Sequence, residues 1–98
     1  MSDASSPFDS QVAHRWFAGH CFNEAWSHID NASRSEADID AMIHLAHASY
    51  WHWTQRDDCQ PKHRAIGAWQ LARVYALAGR AAEANRYGRK SLDICTSE

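Results

Sequence analysis

Residues 44–53 read HLAHASYWHW, which places three histidines, a tyrosine and two tryptophans in ten positions. Such a run could bind a metal. Zinc requires three or four ligands converging within ~2.0–2.3 Å of one point. His44 and His47 lie three residues apart and share a helix face. His52 is ~80° round from His44 and two turns further on, so one helix cannot easily aim all three at one ion. A neighbouring helix would have to add His20, His28 or Glu24. One expectation is therefore a metal-dependent helical-bundle enzyme built on His44, His47 and His20. The stretch has no histidine pair four residues apart and no clear supporting carboxylate.

The competing expectation is packing, with no cofactor. Histidine and tyrosine carry an apolar body and a polar tip, which suits half-buried seams between helices. His44, His47 and Tyr50 would then line the boundary between one helix and its neighbour. His47, Tyr50 and His52 are the positions where a functional edge would surface.

Other chemistry finds less support. Cys21 beside His20, or Cys59 with His63, could make a thiol nucleophile, but adjacent helical residues do not face each other. Cys59 has only Asp57 or Asp58 to orient a partner base. There is no phosphate-cradling glycine loop and no paired-carboxylate pattern. Trp51, Trp53 and Trp69 could instead wall a small-ligand pocket.

These residues must be held by something, and 98 residues make one domain at most. Alanine abounds, glycines are four and prolines two, and Val, Ile and Thr are scarce, which favours helix over strand. No apolar run is long enough to span a membrane. The start, MSDASSPFDS, lacks a basic and apolar leader. Three widely spaced cysteines form no disulfide framework, so the expected compartment is the cytoplasm.

Charge is divided along the chain. Residues 1–60 hold nine acids and three bases, a balance of −6; residues 61–98 hold three acids and seven bases, a balance of +4. Mixed signs argue against nucleic-acid binding, which needs one basic face. The asymmetry could steer head-to-tail self-contact or an acidic partner.

The periodicity predicts an all-α domain of four helices, near 7–30, 35–56, 61–78 and 80–95. Ser6 as cap with Pro7 in the first turn opens helix one. Val12, Trp16, Phe17, Cys21, Ala25, Trp26 and Ile29 trace its expected buried stripe. Ser33 with Glu36, or Ser35 with Asp38, has capping-box spacing before helix two. Trp51 and Trp53 lie ~200° apart on that helix, which places it in the middle of the fold, gripped from two sides. Pro61 opens helix three, and Gly79 stops it. The link to helix four is so short that the two form an antiparallel hairpin.

The segment 66–94 resembles a tetratricopeptide repeat. Leu71, Ala72 and Tyr75 fit the first helix of such a unit, Gly79 the turn, and Glu83, Ala84, Tyr87 and Leu92 the second. Trp69 falls one place later than the usual aromatic, Gly88 and Ser91 replace an aromatic and an alanine, and no proline closes the unit. The whole chain is also similar to a group of small bacterial helical proteins that share a stretch like MIHLAHASYWHW followed by such a hairpin. Members of that group tend to continue into further helices, and the likeness implies no activity.

The tetratricopeptide resemblance implies antiparallel hairpins in a right-handed stack or small bundle, with a peptide-gripping groove on helix three. By position that groove would include Ile66, Trp69, Gln70, Arg73 and Leu77. The expected role is a non-enzymatic protein-interaction module or small adaptor. Helix four keeps apolar residues (Ala84, Tyr87, Leu92 and Ile94) that one chain is not expected to cover, so self-association is expected, most simply as a two-fold homodimer.

Overall fold

The computed structural model describes residues 6–97. It is all-α: α1 is Ser10–Ile29, α2 Glu36–Gln55, α3 Pro61–Leu77 and α4 Ala81–Thr96. The pairs α1/α2 and α3/α4 are hairpins whose helices pack closely, and α2 is flanked by α1 and α3. No described helix is long and apolar enough to cross a membrane.

Local signals set the helix ends. Asp9, not Ser6, caps α1; its carboxylate accepts from the backbone N–H groups of Gln11 and Val12. Pro7 therefore lies ahead of the helix. Of the two possible boxes before α2, Ser35 and Asp38 form the one observed, each side chain accepting from the other's backbone N–H at 3.1 and 3.0 Å. Pro61 stands in the first turn of α3, where it has no N–H to leave unsatisfied. Gly79 follows α3 at φ 77°, a left-handed conformation that glycine adopts without steric cost.

The core joins Ala25 and Ile29 of α1, Met42, Ile43 and Ala46 of α2, and Leu71, Val74 and Tyr75 of α3. Small residues let the backbones approach. Ala18 is fully covered, and its carbonyl accepts a 2.8 Å bond from the buried Ser49 hydroxyl of α2. On α3, Gly67 sits against the Tyr50 ring; a Cβ there would lie 2.6 Å from Tyr50 Cδ1.

The expected stripe of α1 is only half right. Ala18, Cys21, Ala25 and Ile29 are buried, but Val12, Trp16 and Phe17 are exposed. Trp16 lies two residues from Ala18, ~200° round the helix, so the two cannot share a side. The close α1–α2 approach selects the alanine side and leaves the tryptophan outside. Likewise Trp51 on α2 is exposed and not gripped, while Trp53 is half-buried.

Candidate functional site

The histidine run of α2 divides between three environments. His44 is exposed. His47 faces the interior seam, where its Nε2 lies 2.8 Å from the Tyr75 hydroxyl and its ring meets Tyr87 edge-on. Tyr75 and Tyr87 stack nearly parallel, 5.8 Å apart, so the seam ties α2, α3 and α4 together. Burial pushes His47 below the ordinary imidazole value, helped by His44 and Arg86. Tyr50 closes the same seam over Gly67, its hydroxyl pushed up by burial, with the Lys90 ammonium 5.7 Å above its ring.

His52 belongs elsewhere, in an open cleft of about 340 Å³ between the start of α1 and the end of α2. Its Nδ1 lies 2.9 Å from Nδ1 of His14, and its ring stacks on Phe17. Burial, then His14, lowers its basicity. His14 also meets Trp51 edge-on. This α1 contribution of His14 was not legible in advance, because His14 and His52 are 38 residues apart and follow no shared motif.

His20 stacks on Trp16 on the outside of α1. The set His44, His47 and His20 is therefore not gathered into one centre: His47 is engaged with Tyr75, and the other two are exposed. Among the described residues no group of three His, Cys, Asp or Glu could hold a metal ion. The three cysteines are free thiols. Nor do the three tryptophans wall one pocket. Trp51 lines the His14/His52 cleft, Trp69 lies against Trp26 of α1, and Trp53 stacks on His63 with Arg56 3.8 Å over its ring.

The groove residues of α3 are also divided. Gln70 is 1% exposed, and its Nε2 donates to the Phe22 carbonyl of α1 at 3.0 Å. It is a core strut and not a groove residue, because it sits on the α3 side that the α1/α2 hairpin covers. Leu77 is half-buried against the core. Trp69, at 49% exposure, and Arg73 instead line an open trough of about 500 Å³ between α3 and α4. Ile66 is exposed beside Trp69 in an adjoining shallow depression.

The floor of the trough is small: Ala72 and Ala76 from α3, Ala84 and Gly88 from α4. Gly88 faces Ala72, with space at 3.9 Å for a Cβ. Ser91, the other departure from the repeat pattern, donates its hydroxyl to the Ala65 carbonyl at 2.8 Å and draws α4 onto α3. Leu92 and Arg89 complete the α4 wall. Small side chains at 84 and 88 with arginine at 89 were the sequence signal for this second wall. Among the described residues neither Arg73 nor Arg89 has an ion-pair partner.

No protein-family model matches the chain, and neither a curated protein nor a solved structure matches it significantly.

Proposed function

We propose that this protein is a non-enzymatic interaction module that self-associates, with the α3/α4 trough as its docking surface. The observation that carries the reading is the open trough itself, with a half-exposed tryptophan in one wall and, among the described residues, an arginine without an ion-pair partner on each. An aromatic side chain beside arginine is the composition that dominates binding energy at protein interfaces. An apolar floor with cationic rims suits an apolar segment bearing carboxylates. His14, His20, His47, His52 and His63 each stand against another aromatic or imidazole ring, which fits a packing role.

Sedimentation velocity from low to high micromolar concentration tests the reading. Wild type is expected to associate with rising concentration, and Trp69→Ala is expected to weaken that association. A compact monomer throughout would remove the self-association. Stoichiometric zinc or nickel on protein purified without a histidine tag, lost in His44→Ala, would replace the reading with the metal-dependent rival.

A further inference from the structure

The trough has a counterpart on the same molecule. On the outer side of α1, Val12, Trp16 and His20 recur every four residues, and all three are exposed. Val12 to His20 spans about 12 Å at helical rise, and Ala84 to Leu92 along the trough spans about the same. An unpartnered apolar helix face and an apolar trough of matching length are thus both open in one chain.

Their charges are complementary. Asp9 and Glu24 stand toward the two ends of the α1 face. The single arginine of α1, Arg15, is turned to Asp57 at 3.6 Å. Arg73 and Arg89 rim the trough, within the half of the chain that carries the +4 balance. Two troughs facing each other across a two-fold axis would set these guanidiniums against their own copies, which like-charge repulsion opposes. Contact between different faces avoids that conflict. The chain already contains the same kind of join, since α3 lies on the α1/α2 hairpin with Gly67 on Tyr50 and Gln70 on Phe22.

We infer that the occupant of the α3/α4 trough is the α1 face of a second copy, so that the protein assembles head to tail. This rests on the interaction-module reading and specifies its partner and its geometry. Such a contact is heterologous: it leaves one trough and one α1 face free at the ends, and it grows into a ring or an open filament.

Two variants and their mixture test it by sedimentation. Trp16→Gln removes the α1 anchor at an exposed position; Gly88→Gln places a side chain in the trough, where a Cβ has room. Both are expected to keep the helical circular dichroism of the wild type. Wild type is expected to grow past a dimer as concentration rises, and less so at high salt. Each variant alone is expected to associate about tenfold or more weakly, as truncating an interface anchor does. Mixed one to one, the variants still offer one intact trough and one intact α1 face, and they are expected to form a heterodimer and stop there. A wild-type dimer that stops at two copies, is lost in Gly88→Gln and is indifferent to Trp16→Gln would overturn head-to-tail assembly yet leave the interaction module standing. A wild type that remains a compact monomer would overturn both.

Discussion

Each hairpin of this molecule has a trough between its helices. The α1/α2 trough is filled by α3, and the α3/α4 trough is open. The filled one is closed by shape and by buried polar struts: Gly67 under Tyr50, Gln70 on the Phe22 carbonyl, and Ser49 on the Ala18 carbonyl below. The open one shares one such bond, Ser91 on the Ala65 carbonyl between its two helices, but its floor is small residues and the polar groups lining it are Asn85 and the two arginines. A trough built to hold its own chain thus spends its polar groups on specific backbone oxygens. A trough left open keeps its charges for whatever arrives.

Two of the helical glycines, Gly67 and Gly88, offer the sharpest way to break that comparison. Gly67→Ala sets a methyl 2.6 Å from Tyr50 Cδ1, so the Tyr50 ring or α3 itself must shift. Overpacking of a closed seam costs about 1–3 kcal/mol, and the alanine's better helix propensity recovers at most about 1 kcal/mol of it. Net destabilisation is expected in urea unfolding. Equal stability of Gly67→Ala and wild type would mean that the seam is loose.

The strut Ser49 comes next. Ser49→Ala removes the hydroxyl's bond to the Ala18 carbonyl, which keeps its place in the α1 backbone ladder, so the loss is that of one net hydrogen bond, about 0.5–1.5 kcal/mol. A drop near the lower end is expected, since serine deletion leaves only a small void. Gly88→Ala has a smaller effect with the opposite sign. Its methyl would meet Ala72 Cβ at 3.9 Å, an ordinary contact. Replacing glycine inside a helix is then expected to stabilise by about 0.5–1 kcal/mol. A rise in melting temperature for Gly88→Ala beside a fall for Gly67→Ala would establish that one face is closed and the other open. Two falls would refute it.

Much of this architecture was legible in the residues. Helix order, capping-box spacing before α2 (Ser33/Glu36 or Ser35/Asp38, of which the second forms), the Pro61 start and the Gly79 stop are local signals, and local sequence carries them. The site was less legible, because three-four spacing marks an apolar face without saying what covers it. Val12 and Trp16 share that spacing with Cys21 and Ala25, yet only the latter pair is buried. Which face α2 chose depended on how closely two backbones could approach, and alanine at 18 with serine at 49 decided it. Gln70 shows the converse error. A polar side chain read as a groove contact is buried because a carbonyl 48 residues away accepts its amide. The Trp69–Arg73 edge was visible, and its second wall lay in small residues of α4 that propensity alone does not single out.

Acid separates the two regions by chemistry instead of by size. His47 in the closed seam and His52 in the α1/α2 cleft both sit below the ordinary value of 6.5, each chiefly through burial. Their folded-state affinity for a proton is thus lower than in the unfolded chain. Stability is full above 6.5 and falls as pH drops from there toward the lowered folded-state values, because the unfolded chain takes up protons that the folded one resists. His47→Gln is expected to flatten part of this fall, since it leaves no group to titrate between α2 and the Tyr75 hydroxyl. The described lining of the open trough contains no histidine. Urea unfolding at pH 7.5 and 5.0, with wild type and His47→Gln side by side, reads the difference as a smaller loss in the variant; the values ~7.5 and ~5.0 bracket ordinary imidazole titration. An unchanged pH slope in His47→Gln would show that the closed seam does not hold its histidine neutral, and the contrast between a sealed trough and an open one would then rest on packing alone.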